Sequence, residues 1–180
     1  GGIILTNNEE IAVKINKMIF PGAQGGPLEH VVAAKAICFA EALKPEFKVY
    51  QQQVVKNMKA MVEAFKANNI PVVSNGSDNH LCLIDTYSTY NVTGHEASDL
   101  LSKAKITCNK NGIPFDTLPP VKTSGLRLGA AAMTSKGYVE EDFVEITNII
   151  CDLLKQGENY LEKAQERVAT LVAKERKEFR

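Results

Sequence analysis

The sequence has no excess of charge of either sign. Lysine plus arginine and aspartate plus glutamate each number 21 among 180 residues, so the formal net charge is zero. A basic excess would favour nucleic acid or an anionic membrane as partner, and an acidic excess would favour a basic partner. The balance found here favours small-molecule chemistry or association with another protein.

Support for a metal site, a disulfide framework or a nucleophilic triad is also missing. The only histidines, His30, His80 and His95, do not have the spacing of metal ligands, and no acidic cluster completes a site. The four cysteines are widely spaced and form no C-x-x-C pair, which is typical of reduced packing cysteines. No Ser/His/Asp or Cys/His arrangement can be argued. We therefore expect a cytoplasmic protein without a metal.

Long hydrophobic runs are absent as well. The longest apolar stretch, residues 31–40, contains Lys35 and is far too short to span a bilayer. Gly1–Leu5 has no basic region and too short an apolar run for a signal peptide. Because the chain has no initiator methionine and opens on apolar residues, we expect it to be a fragment of a longer protein.

Hydrophobic periodicity predicts helices that alternate with short strands. The predicted helices cover residues 9–20, 28–43, 54–65, a segment that begins at the capping box Thr93–Glu96, 143–154 and 160–172. The predicted strands cover residues 2–5, 71–74, 80–85, 106–108 and 126–128. This order predicts an α+β domain with a mostly antiparallel sheet. A break is expected at Lys44–Pro45, because proline disfavours helix at the residue before it.

A glycine-rich loop between two prolines, Phe20–Pro27, is the first candidate site. Glycines let backbone amides face a ligand, and the following helix start adds partial positive charge, so such a loop can bind a phosphate. The alternative is a tight loop that only joins two helices. The residues alone leave both interpretations open.

The second candidate is Arg127 in the run Thr123–Gly129. On a strand, Leu126 and Leu128 share one face and the arginine lies on the other, flanked by glycines. Its forked donors match a carboxylate at two points. The alternatives are an arginine on a solvated sheet face and one in a structural ion pair.

The third candidate is Lys110–Pro114 together with Pro119–Val121. Asn111 can both donate and accept hydrogen bonds, as a heterocyclic amide ligand requires, and prolines stiffen a pocket wall. The alternative is a turn-rich loop without a ligand.

Six segments occur in the order found in one enzyme family. They are Gly1–Leu5, Phe20–Pro27, Gln51–Val54, Asp78–Leu81, Lys110–Asn111 and Thr123–Arg127. On these segments the sequence resembles serine hydroxymethyltransferase, also called glycine hydroxymethyltransferase. The match covers essentially the whole chain, and F-P-G-x-Q-G-G-P is a highly specific motif.

The resemblance implies a fold and a reaction. The family has fold type I of the pyridoxal-phosphate enzymes and interconverts serine plus tetrahydrofolate with glycine plus 5,10-methylenetetrahydrofolate. Residues 1–44 would end the large cofactor-binding domain, and residues 45–180 would form the small C-terminal α/β domain of a homodimer or homotetramer. Another fold type I transferase is disfavoured, because Asn111 and the loop Gln24–Pro27 are similar to those of the folate-dependent branch.

Residues near the amino acid and the cofactor follow from the same resemblance. Arg127 is similar to the arginine that binds the substrate carboxylate. Gly25 and Gly26 resemble the loop that reaches the cofactor phosphate of the neighbouring subunit.

The resemblance also implies a folate site. Asn111 is similar to the asparagine that hydrogen bonds to the pteridine ring. Pro119, Pro120 and Val121 occupy the folate-lining segment, where the family usually has Ser-Pro-Phe. The folate contacts at Pro119 and Val121 are therefore the ones that this departure calls into question.

The catalytic lysine of the family lies in a T-H-K-T-x-R-G-P-x-G-G run, and none of the basic residues here lies in that motif. Gly1 and Gly2 match the end of the run. A Schiff base requires an amine held against the cofactor aldehyde, so we expect this chain to be inactive alone. The alternative is a non-catalytic fragment that has only a scaffold or binding role.

The isolated 180-residue chain is therefore expected not to attach pyridoxal phosphate at a specific lysine. After mixing with the cofactor and reduction with borohydride, mass spectrometry of the digested chain should find no stoichiometric adduct. One clearly labelled lysine would contradict this expectation.

Overall fold

The structure is a computed structural model that describes residues 2–179. The chain divides into two compact units, Gly1–Lys44 and Pro45–Arg180. Gly1, which belongs to the first matching segment, lies outside the described residues. None of the described helices is both long and apolar enough to cross a membrane.

The first unit contains two helices joined by a kinked turn. Helix α1 spans Glu9–Lys17 and begins at Asn8, whose side-chain oxygen accepts the Ile11 amide at 3.0 Å. Backbone angles at Phe20 are extended, so the helical path breaks before helix α2, Glu29–Ala42. The predicted strand at residues 2–5 is wrong: this apolar run pairs with no strand in the described part of the chain. An extended segment without a neighbour has no ladder to complete its hydrogen bonds.

Three long helices supply most of the core of the second unit. They are α3, Pro45–Ala67; α7, Glu140–Gln156; and α8, Leu161–Val172. The predicted apolar stripe of α3 is confirmed, because Val54, Met58 and Phe65 are at most 1% exposed. Helix α3 packs along α7, and both contribute to one continuous cluster of buried side chains. Pro45 stands at the start of α3, where proline's missing amide is not needed.

A three-stranded antiparallel sheet completes the core, which confirms the predicted mixture of helices with an antiparallel sheet. Its strands are β1, Leu81–Asp85; β2, Asn109–Asn111; and β3, Gly125–Gly129. They lie in the order β1-β3-β2.

Two of the other predicted strands are wrong. The chain at 106–108 is not a strand, and pairing begins one residue later, at Asn109. At 71–74 there is only an isolated bridge, from Val72 to Ile84, before a 3-10 turn.

Short helices fill the connections: α4, Tyr87–Tyr90; α5, Gly94–Lys103; and α6, Ala131–Ser135. The predicted capping box of α5 is confirmed. Thr93 Oγ1 accepts the Glu96 amide at 3.2 Å, and the Glu96 carboxylate accepts the Thr93 amide at 2.9 Å.

Gly94 lets α5 approach the chain that leads into β3. Its amide donates to the Thr123 carbonyl at 2.9 Å, and the next amide, that of His95, donates to Lys122 at 2.9 Å. A Cβ at Gly94 would collide with the Gly125 carbonyl oxygen and the Thr123 hydroxyl. The closeness of α5 and β3 therefore depends on the absence of a side chain at Gly94.

Replacing Gly94 by alanine is expected to lower the free energy of unfolding by about 1–3 kcal/mol, the usual cost of overpacking. Alanine favours helix more than glycine does, so a loss of stability must come from the collision of the new Cβ with Gly125 and Thr123. Gly76→Ala is the matched control, because a Cβ there meets nothing within 4 Å. Urea titration measures the free energy of unfolding of both variants. Equal values for Gly94→Ala and Gly76→Ala would show that α5 and the chain before β3 can move apart without loss of stability.

Candidate active-site cleft

A cleft of about 520 Å³ opens beside the loop that joins β2 to β3. Its volume falls in the range of small-molecule sites, roughly 300–1,000 Å³. The lining residues come from the end of β2, from this loop and from the turn before β3: Lys110, Asn111, Gly112, Asp116, Leu118, Pro120 and Thr123. In the described residues, no group of histidines, cysteines and carboxylates could hold a metal ion.

The register of the sheet places Arg127 and Asn111 on one face. Arg127 lies opposite Asn109, and Asn111 lies opposite Gly125. Directly opposed residues of antiparallel strands share a face, so Asn111 is the diagonal neighbour of Arg127, at about 7–8 Å between Cα atoms. The predicted alternation is confirmed, because Leu126 and Leu128 are 0% and 6% exposed whereas Arg127 is exposed.

The Arg127 guanidinium has no ion-pair partner among residues 2–179. The two other arginines among the described residues are paired: Arg167 with Asp152 at 2.7 Å and Arg176 with Asp142 at 2.9 Å. No hydrogen bond of the described side chains includes Arg127. A structural ion pair therefore does not explain this arginine, and its five donors remain available.

Asn111 also keeps capacity for a ligand. Its side-chain amide nitrogen donates to the Gly112 carbonyl at 2.7 Å. Nothing in the described part of the chain donates to its side-chain oxygen. The second N–H of this amide group and its oxygen form the donor and acceptor pair that a heterocyclic amide can match.

Only one residue of the predicted proline segment lines the cleft. Pro120 does so, and Pro119 and Val121 do not. The Pro119 carbonyl instead accepts the Lys122 and Thr123 amides, which closes a turn, and the Val121 side chain is 70% exposed.

The predicted phosphate loop belongs to the first unit. Gly25 and Gly26 are exposed, and a Cβ at either would meet nothing within 4 Å. No side chain caps the start of α2 at Leu28. The loop thus presents open backbone next to a helix start.

The sequence analysis missed Asp116 and Leu118, which both line the cleft. Asp116 is the one of the two whose side chain forms hydrogen bonds. Its Oδ1 accepts the Leu118 amide at 2.9 Å and the Ser124 hydroxyl at 2.6 Å. Its Oδ2 accepts the Ile113 amide at 3.1 Å and the Ser124 amide at 2.9 Å. The bond to Leu118 is an Asx turn, which an aspartate in a turn-rich loop could have suggested. The contact with Ser124, eight residues away, leaves no local signal.

These bonds keep Asp116 ionised. Loss of hydration raises the pKa of the carboxyl, but the hydrogen bonds from Ser124 and from the amides of Leu118 and Ile113 outweigh it. Together they lower the pKa of Asp116 from 3.8 to about 2. The loop is thus held by a charged acceptor over the whole neutral range.

Comparison with known proteins identifies the family. The sequence model described as serine hydroxymethyltransferase matches residues 5–150. The chain belongs to the serine hydroxymethyltransferase family. The predicted resemblance is thereby confirmed.

Individual serine hydroxymethyltransferases agree with this assignment. That of Microcystis aeruginosa is 54% identical over 173 residues, which are 95% of this chain and 40% of the relative. That of Mycoplasmopsis synoviae is 56% identical over 147 residues, 81% of this chain and 35% of the relative. That of Endomicrobium trichonymphae is 51% identical over 179 residues, 99% of this chain and 42% of the relative. The chain therefore spans about two fifths of the length of its curated relatives.

The acid stability of the chain tests the ionised state of Asp116. Because the folded pKa lies below the ordinary value of 3.8, the carboxylate stabilises the fold above that pH, and the stabilisation is lost as pH falls through about 2. The melting temperature of the chain should exceed that of Asp116→Asn by a constant margin from about pH 6 to pH 4. The margin should narrow towards pH 2.

Asp99→Asn is the control. The Asp99 carboxylate is 63% exposed on α5, so this substitution removes a surface charge of the same sign. A margin for Asp116→Asn that is already lost at about pH 5, or one that stays constant to pH 2, would contradict the lowered pKa.

Proposed function

We propose that this chain is part of a pyridoxal-phosphate-dependent serine hydroxymethyltransferase. The whole enzyme would interconvert serine plus tetrahydrofolate with glycine plus 5,10-methylenetetrahydrofolate. Family membership supports the reaction class. The observation that carries the proposal is that Asn111, which lines a cleft of small-molecule size, is the diagonal neighbour of the unpaired Arg127 on one sheet face. Arg127 itself lies outside the lining of that cleft.

The two units take different parts in this proposal. Residues 1–44 would be the end of the large cofactor-binding domain of a fold type I enzyme, and residues 45–180 would be its small C-terminal domain. The whole protein would be a cytoplasmic homodimer or homotetramer.

Arg127 would bind the carboxylate of serine or glycine. An exposed guanidinium with no partner can form two parallel hydrogen bonds to a carboxylate without first breaking an ion pair. Its strand is hydrogen bonded to a neighbour on both sides, which fixes the backbone from which the side chain extends.

The folate would lie against Asn111 and Pro120. Asn111 would form hydrogen bonds to the pteridine ring, whose heteroatoms offer both donors and acceptors. Pro120 would provide a rigid apolar surface of the same cleft. Pro119 and Val121 would border this site from the neighbouring turn.

Gly25 and Gly26 fit a role at the cofactor phosphate. Because no Cβ is present and none would meet an obstacle in this chain, their amides are open to an anion. They would hold the phosphate of the cofactor bound by the neighbouring subunit. When bound, pyridoxal phosphate supplies the electron sink that stabilises negative charge at the α-carbon of the amino acid. The lysine that bears it in the family lies in a motif that these 180 residues do not contain.

The role of Arg127 can be measured in the full-length protein that contains this chain. Arg127→Ala should weaken serine and glycine binding by roughly 30- to 3,000-fold, since removing one partner of such a pair costs about 2–5 kcal/mol. Arg127→Lys should restore little, because an ammonium does not reproduce the planar fork. Titration with serine and glycine gives the dissociation constants.

Arg176→Ala is the matched control. This arginine pairs with Asp142 and lies 3.7 Å from the Tyr138 ring centroid, so its loss should lower the melting temperature and leave serine affinity unchanged. Serine affinity of Arg127→Ala within threefold of the parent would reject the carboxylate role. A large loss of stability in Arg127→Ala would instead assign this arginine to the fold.

A further inference from the structure

The carboxylate of Asp116 has no acceptor capacity left for a ligand. An ionised carboxylate offers about four lone-pair positions. In Asp116 all four are taken, two on each oxygen, by donors of Ile113, Leu118 and Ser124. Although Asp116 lines the cleft, both of its carboxylate oxygens are hydrogen bonded to groups of the protein itself.

Two of the residues that donate to Asp116 stand at opposite ends of the loop, and the third, Leu118, stands in its middle. Ile113 follows Asn111 by two residues, and Ser124 precedes Arg127 by three. The Ser124 carbonyl in turn accepts the Thr86 and Tyr87 amides at 3.0 and 3.1 Å, which ties the same point to the end of β1. One side chain thus joins the strand end that carries Asn111 to the start of β3.

Apolar packing does little to fix the shape of this loop. Phe115 is fully exposed, and Val121 is 70% exposed. No residue from 112 to 122 is buried. Hydrogen bonds must therefore supply the order that buried side chains supply elsewhere in the unit.

We infer that Asp116 is a positioning residue that holds the folate-facing wall of the cleft, Asn111 and Pro120, in place. The inference rests on the proposed function of the cleft. It assigns no such role toward Arg127, because β3 is held by hydrogen bonds to strands on both sides. Loss of the Asp116 bonds should therefore affect folate and amino-acid binding unequally.

Asp116→Asn is the variant of choice in the full-length enzyme. The amide keeps the shape of the side chain but turns one acceptor oxygen into a donor. The Ser124 hydroxyl can reverse its bond and accept from this donor, but a backbone N–H cannot, so at least one of the four bonds is lost. Tetrahydrofolate affinity, measured with glycine present, should fall at least about tenfold, which corresponds to ~1.4 kcal/mol. Serine affinity should stay within threefold.

Ser124→Ala removes one of the four bonds, that of the hydroxyl, and should give a smaller loss of folate affinity. Asp99→Asn, on the exposed side of α5, is the charge-matched control and should leave both affinities unchanged.

Hydrogen–deuterium exchange of the unliganded enzyme provides a readout that does not depend on activity. The amides of Ile113, Leu118 and Ser124 are all bonded to Asp116, so peptides that cover residues 112–124 should exchange faster in Asp116→Asn. Peptides from the long helices should not change. Unchanged exchange in residues 112–124 would overturn the inference.

Asn111→Ala separates failure of the inference from failure of the proposed function. If this variant loses folate affinity and Asp116→Asn does not, the positioning role is wrong while the folate cleft stands. If neither variant loses folate affinity, the cleft is not the folate site, and the inference falls with it. Faster exchange together with a selective loss of folate affinity in Asp116→Asn supports both the positioning role of Asp116 and the assignment of the cleft to folate.

Discussion

The hydrogen-bonded register between β2 and β3 is the constraint on which the candidate site depends. It sets Asn109 opposite Arg127 and Asn111 opposite Gly125. A shift of the pairing by one residue would turn Asn111 to the opposite face of the sheet, away from Arg127, because successive strand residues face opposite sides. The burial of Leu126 and Leu128 beneath the sheet prevents such a slip of β3. Core packing thus determines which polar groups share the sheet face of Arg127.

The second unit stabilises its helices and its cleft wall by different interactions. Helices α3 and α7 bury apolar side chains against each other, and the resulting core is continuous with the buried face of the sheet. The loop beside the cleft is instead held by hydrogen bonds, among them those of the ionised Asp116 carboxylate, and by the close approach at Gly94. Such a loop leaves its outer surface unpacked, so it can present polar and proline side chains to a ligand while its backbone stays ordered.

Sequence patterns predicted the parts of this architecture that repeat locally. The stripe of α3, the capping box at Thr93 and the alternation around Arg127 all follow from fixed periods or from short-range hydrogen bonds. Strand β2 could not be found this way, because Asn-Lys-Asn has no apolar residue to mark a face. The Asp116–Ser124 contact joins residues whose closeness arises only when β2 and β3 pair. The roles proposed for individual site residues came from the family resemblance, and the structure added the loop geometry around them.

Ligand-dependent exchange tests the central claim, that one sheet face and its adjoining loop form the substrate site. Hydrogen–deuterium exchange of the full-length enzyme should be compared without ligand and with glycine plus tetrahydrofolate. The account predicts slower exchange in peptides that cover residues 109–127 and no change in α7 or α8. Slower exchange elsewhere in the second unit, with residues 109–127 unaffected, would contradict it.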